Sequence, residues 1–254
     1  MQAMSLPGGL MALHRKPYHP PALSEYLSPA DGPTGYIMGA TGPQGFGCAD
    51  FYVAQIPCSL ARQVIIQHHY SHKVVNNSYL HLGVYREGVF EGVLQWGYAL
   101  QPARAGYVVE GTVQGQYLEL NRMWLSDDAP RNSESRAISY ALKYIRQACP
   151  GVAWVQSFAD ERCKGLGVVY QACSFLYLGA HNSIFYLLDG EVYHKLNASV
   201  KGRGGRAAYL QENLHRAQKV QWRQFRYIRF LKTDWRKRLR LPVLPYPKPH
   251  CPVR

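Results

Sequence analysis

The sequence predicts an α+β fold, a splayed mixed sheet flanked by helices with a basic C-terminal helical extension, and three observations carry it. Two β-rich runs, LHLGVYR (80–86) and VFEGVLQWGY (89–98), are separated only by Glu87-Gly88, the signature of a tight antiparallel hairpin. Between Glu134 and Ala148 the apolar residues Ala137, Ile138, Ala141, Leu142 and Ile145 recur at helical spacing. Further strand patterns, VAWVQSFA (152–159), FLYLGAH (175–181) and SIFYLLDG (183–190), follow with one short helical stretch among them.

Taken in chain order, residues 1–56 are dense in Pro and Gly and read as an irregular arm on the core, with Phe46, Phe51 and Tyr52 as contact points. Ser59 then caps a helical stretch, LARQVIIQHHY (60–70), and Asn76-Asn77 marks a turn beyond it. After the hairpin comes YLELNRMWL (117–125), a strand broken by the polar loop SDDAPRNSES. Pro150-Gly151 ends the Glu134–Ala148 helix, and CKGLGVVYQAC (163–173) gives a short helix despite its glycines. From Arg206 to Arg240, Leu210, Leu214, Ala217, Phe225, Ile228, Leu231, Trp235 and Leu239 fall on one face at 100° per residue, opposite Arg216, Lys219, Arg223, Arg226 and Lys237. That spacing predicts a basic amphipathic helix before a proline-rich tail. The organisation expected is thus an arm (1–56), a core (57–194) and a basic extension (195–254).

Charge narrows the function. The 254 residues carry a formal net charge of +13. From Lys195 onward sixteen Lys and Arg face only Glu212 and Asp234, while the preceding 194 residues hold thirteen positive and fourteen negative side chains. A near-neutral core with a cationic end suits a polyanion such as nucleic acid, and Trp222, Phe225, Tyr227, Phe230 and Trp235 interleaved with Arg223, Arg226, Arg229 and Arg236 suit phosphate contact with base stacking. A hydrophobic content of 47% argues against disorder. No run of eighteen apolar residues or secretory leader is present, and six cysteines without close pairs fit a reducing cytoplasm rather than a membrane or an oxidising compartment.

The order of elements resembles the GNAT acyltransferase fold, in which a mixed sheet splays apart between its central strands to admit an acyl donor. Four segments are more specific: HHYSHKVVNNSYLHLGV (68–84), LELNRMWLSDDAPRNSESRAISYALKYI (118–145), VQSFADERCKGLGVVYQACSFLYLG (155–179), and GRAAYL with FRYIRFL further on. They resemble the Mom family of phage DNA-modification proteins over roughly Gln67 to Pro247. The resemblance implies an enzyme of the infected bacterial cytoplasm that converts adenine in double-stranded DNA to N6-carbamoylmethyladenine and so shields phage DNA from restriction.

Under that resemblance Arg122 holds a carbonyl oxygen or phosphate, the structural alternative being an ion pair with Glu119 or Asp160. Ser135 presents a hydroxyl to the cleft while Ser133 caps the helix. Asp160 takes a proton from the adenine N6, or else caps a helix, and Tyr170 protonates the leaving group, or else packs in the core. His69, Tyr70, Asn121 and Ser133 contact substrate, and Lys219, Arg223, Arg226, Arg229 and Arg236 contact DNA. His68 and His72 at i, i+4 offer two ligands to a metal, iron among them, without a neighbouring carboxylate or HExxH pattern.

GNAT enzymes bind the coenzyme A pyrophosphate on a glycine-bearing loop, but here the position reads Arg131-Asn132-Ser133-Glu134-Ser135-Arg136, without glycine and with an anion at Glu134. The RxxGxG spacing of Arg162–Gly167 follows a later strand. The acyl donor is therefore left between acetyl-CoA and glycyl-tRNA, which makes tRNA a second partner. Two rival readings are a plain N-acetyltransferase with a nucleic-acid-binding tail and a non-enzymatic nucleic-acid-binding protein.

Overall fold

A computed structural model describes residues 33–163, 165–199 and 204–248. Ten strands form one sheet: β1 Gly35–Gly39, β2 Gly42–Cys48, β3 Phe51–Gln55, β4 Ser78–Arg86, β5 Val89–Gly97, β6 Tyr117–Leu125, β7 Trp154–Asp160, β8 Leu176–Leu188, β9 Glu191–His194 and β10 Gln218–Phe230. Their spatial order is β1-β2-β3-β4-β5-β6-β7-β10-β8-β9. Every pairing is antiparallel except β6 with β7. A parallel pair needs a crossover, and α2 (Ser133–Ala148) supplies it. The expected mixed sheet with flanking helices is present, the other helices being α1 Cys58–His68, α3 Val168–Ala172, α4 Leu196–Ser199 and α5 Arg206–Glu212. Among the described residues no helix is long and apolar enough to cross a membrane.

Local sequence explains the elements that position the site. The β4–β5 turn puts Glu87 at φ 51° and Gly88 at φ 79°, the paired left-handed conformations that a two-residue hairpin requires. The predicted stripe of α2 is buried at Ala137, Ile138, Ala141, Leu142 and Ile145, joined by Tyr144. It packs across β2 and β3. Burying side chains the size of Ile138 and Ile145 stabilises the fold by about 1.5–3 kcal/mol each.

Two parts of the expected organisation need correction. Residues 35–55 are not an irregular arm but three strands, and their glycines allow close strand approach: a Cβ at Gly45 would stand 2.3 Å from the Val53 carbonyl oxygen. The long basic helix is also absent. Only Arg206–Glu212 is α-helical, and Gln218–Phe230 is a central strand bonded to β7 on one side and β8 on the other. Phe225, Tyr227 and Ile228 are buried there, so the segment is part of the core and not an appendage. Smaller differences follow: 176–188 is one strand where two were expected, α1 ends at His68, and Pro57 rather than Ser59 sits at its N-cap.

Candidate active site in the splayed sheet

The parallel ladder joins only Tyr117 with Trp154, Leu118 with Val155 and Glu119 with Gln156. Beyond that last pair β6 stays bonded to β5 as far as Leu125, and β7 stays bonded to β10 as far as Asp160. The two strands therefore part, and a cleft opens between their C-terminal ends. A shift in the β5–β6 register pairs Gln95 with Arg122 but Trp96 with Leu120, leaving Asn121 as the extra residue of a bulge that re-aims the side chains beside it.

At the floor, Gln156 Nε2 donates to Glu119 Oε2 at 2.7 Å and Asn121 Nδ2 donates to Oε1 at 3.3 Å. Asn121 is fixed in turn by the Ser78 hydroxyl, which donates to its Oδ1 at 2.9 Å, and by the Tyr98 carbonyl. Burial pushes the Glu119 carboxyl above its ordinary range, against the pull of the Gln156 and Asn121 hydrogen bonds and of Arg226 and Arg122. Sequence reading had Glu119 only as a partner for Arg122. The signal that marks it is its place as the last residue of β6 paired to β7, which the sequence does not display.

At the mouth, Arg122 donates from Nε to the Lys73 carbonyl at 3.0 Å and from Nη1 to its neighbour's carbonyl at 2.7 Å. Neither expected ion pair forms; Glu119 and Asp160 act on this half-buried guanidinium only at longer range, with Tyr70 and Arg162. Asp160 is instead clamped by Arg162, whose backbone N–H donates at 3.0 Å and whose guanidinium donates twice, and by Gln224 at 3.3 Å. His69 Nδ1 accepts the Ser71 N–H at 3.1 Å, so the ring proton sits on Nε2. Burial, then Arg122 and His72, hold this imidazole down at about 3, neutral at physiological pH. Its ring lies 4.2 Å from Tyr70. Tyr70 keeps 57% of its surface exposed, and the burial of its hydroxyl end beside Cys163 and Asp160 holds the phenol protonated.

His69, Tyr70, Arg122 and Asp160 thus converge, with Arg162 and Glu119 beside them. The other expected residues lie elsewhere. Asn121 serves the floor. Ser133 and Ser135 line a separate 340 Å³ cavity at the start of α2 with Arg86, Arg131 and Arg136. Asn132, left-handed at φ 72°, is the N-cap there and Ser133 is not; the Ser135 hydroxyl donates to the Asn132 carbonyl at 3.0 Å. Glu134 is exposed and outside that lining. Tyr170 is 9% exposed, packed on Phe175 and Tyr227 with Ser157 beside its hydroxyl, and burial raises its pKa. Its surroundings are those of a core residue, the structural alternative weighed for it.

The cationic residues divide in the same way. Arg226 lies over the Phe158 ring at 5.1 Å and lines a 740 Å³ cavity at the cleft floor. Arg223 pairs with Glu161, Arg229 donates to the Cys173 carbonyl, and Lys219 and Arg236 are exposed. His72 lies past the end of α1 at φ 48°, bonded to the Ile66 carbonyl, and His68 stacks on Trp124 at 4.5 Å, so the helical i, i+4 pair does not form. Among the described residues no three His, Cys, Asp or Glu side chains are grouped to hold a metal.

Comparison with known proteins agrees with the sequence segments quoted above. The chain is 56% identical over 208 residues to "Methylcarbamoylase mom" of Escherichia phage Mu, covering 80% of this chain and 86% of that protein. Among solved structures it is similar to the ribosomal-protein-S5-alanine acetyltransferase from Vibrio fischeri, with TM-score 0.45, 11% identity, and coverage of 75% of this chain and 98% of that one. It is also similar to the ribosomal-protein-S18-alanine N-acetyltransferase from Escherichia coli, with TM-score 0.42, 9% identity, and 72% and 95% covered. The sequence profile of the Mom protein family matches residues 50–248, across the splayed strands and the closing strand β10 alike, and the chain belongs to that family.

Proposed function

We propose that this protein is a phage DNA-modification enzyme that converts adenine to N6-carbamoylmethyladenine in the cytoplasm of the infected bacterium, protecting the DNA from restriction. The observation that carries the reading is the 56% identity to the phage Mu methylcarbamoylase over 208 residues, together with the family match across residues 50–248. The N6 amine of a paired adenine is engaged in the duplex, so reaction requires the base to be flipped into the protein.

The group added comprises two carbons, one oxygen and a terminal nitrogen. An acetyl group lacks that nitrogen, whereas a glycyl group supplies every atom. In the scheme proposed, adenine N6 attacks the carbonyl of a glycyl ester such as glycyl-tRNA, and the ester C–O bond breaks with release of the tRNA hydroxyl. The free glycyl amine then attacks C6 through a five-membered ring. The bond from C6 to the original N6 breaks, leaving that nitrogen as the terminal carboxamide.

Arg122, held by two backbone carbonyls, is placed to stabilise the oxyanion of the first step, in a site where buried charge acts strongly. Neutral His69 and protonated Tyr70 border the same space as hydrogen-bonding and stacking groups. Both Asp160 oxygens are engaged, which suits it to position Arg162 across from Arg122, and Glu119, whose carboxyl is desolvated and raised in pKa, is better suited to accept a proton. Ser135, beside Arg131 and Arg136, is proposed to bind the phosphates of the donor. Tyr170 is proposed to support β10 by packing on Tyr227.

Purified protein, duplex DNA and glycyl-tRNA labelled in the glycine test the scheme. Label in deoxyadenosine is expected. Label from acetyl-CoA in a protein or small amine, with none in DNA from either donor, overturns it in favour of an N-acetyltransferase.

A further inference from the structure

We propose that the 740 Å³ cavity on the floor of the cleft is the adenine pocket, in which Gln156 receives the N6 amine, His181 stacks on the purine with Phe158 against its edge, and Arg104 and Arg226 hold its phosphate. This rests on the DNA-modification reading and says where the flipped base goes. The volume lies within the range of roughly 300–1,000 Å³ usual for small-molecule sites.

Position argues first. Glu119 and Gln156 are the last residues to pair before β6 and β7 part, and both line the cavity, as does Gln224, which donates to Asp160 at 3.3 Å, so the cavity adjoins the point where the strands separate. Arg122 is near enough to act on the Glu119 charge. A base seated on this floor brings its exocyclic amine between a carboxyl and the guanidinium that faces the acyl carbonyl.

Hydrogen bonding argues second. Gln156 is 4% exposed, its Nε2 is committed to Glu119 at 2.7 Å, and its Oε1 has no partner among the described residues. That leaves one buried acceptor at the floor of a cavity whose lining is mostly apolar. Adenine offers a matching donor, because its N6 amine carries two hydrogens, one for Gln156 and one for the group that removes it. Hypoxanthine, with an oxygen in place of that amine, offers a second acceptor instead.

Rings and charge argue third. Phe158 meets His181 edge-on at 5.5 Å and carries the Arg226 guanidinium over its face at 5.1 Å. Partial desolvation of the ring, then Arg226, His194 and Lys195, lowers the pKa of the otherwise exposed His181 and favours the neutral form that stacks on a base without adding charge. Arg104, Arg226 and Lys195 line the cavity against a single acid, Glu119, which favours an anionic ligand whose one neutral donor reaches the floor.

Titration of the full-length protein with dAMP and with dIMP tests the assignment, beside plasmid modification in cells. The native protein is expected to bind dAMP about tenfold tighter than dIMP, one hydrogen bond's worth, and Gln156→Leu to erase that ratio while retaining a cooperative melt. His181→Ala, at an exposed residue, is expected to weaken both nucleotides alike. No preference for dAMP in the native protein, or a preference that survives Gln156→Leu, overturns the pocket. Modified DNA together with an intact preference in Gln156→Leu places the base elsewhere and leaves the activity standing. A Gln156-dependent preference without any modified DNA keeps the pocket and overturns the activity.

Discussion

Arg122 and His69 show how burial sets chemistry one residue at a time. Arg122 spends two donors on backbone carbonyls, so its plane is fixed before substrate arrives, and a lysine could not reproduce the fork. His69 couples the site to pH. Its folded value, about 3, lies below the ordinary 6.5, so in acid the unfolded chain takes up the proton first. The stability His69 contributes is complete above pH 6.5 and is lost progressively as pH falls toward 3, by up to about 1.4 kcal/mol per pH unit. Denaturant melts across that window are expected to show the native protein losing stability faster than His69→Gln; parallel curves would contradict the assignment. His69, Tyr70, Arg122 and Asp160 were named through the family resemblance, each within one of its matched segments, but their grouping, without Ser135 and Tyr170, came only with the fold. Glu119 and Gln156 were not legible as site residues, because their meaning comes from the register of two strands thirty-odd residues apart.

At the scale of elements, the sequence revealed what obeys a single periodicity. The hairpin turn at Glu87-Gly88 and the stripe of α2 each admit one reading. β10 admits two: Phe225, Ile228 and Leu231 suit a helix face, while Phe225, Arg226 and Tyr227 alternate as a strand does, and only the gap between β7 and β8 decides. β1 to β3 were hidden by glycines that read as loop signals but serve close strand packing. Two substitutions test these placements. Ile138→Ala is expected to cost about 2–5 kcal/mol in chemical denaturation, because it opens a cavity under α2. Tyr227→Pro removes a ladder donor from a strand bonded on both edges and is expected to abolish the cooperative thermal transition. A core that melted normally without this strand would restore the picture of an appended basic segment.

For the whole molecule, the excess charge divides between structure and partner. Arg223 and Arg229 are committed to Glu161 and to a main-chain carbonyl, and Arg226 belongs to the cavity. Lys219 and Arg236 remain exposed for phosphate contact. DNA affinity is accordingly expected to fall steeply with salt, and Lys219→Ala or Arg236→Ala to lower the slope of log K against log salt by about 1 each without loss of fold. An unchanged slope would move the DNA track off this face. The net charge was plain in the sequence, but its division depended on which side chains the sheet brings to an acid or a carbonyl. The most direct test of the splayed cleft as the modification site is mass spectrometry of nucleosides from plasmid DNA in cells making the native protein or Arg122→Ala. The native protein is expected to yield deoxyadenosine heavier by about 57 mass units, and the folded variant to yield none. Unmodified DNA with the native protein, or the same product from Arg122→Ala, would contradict that account.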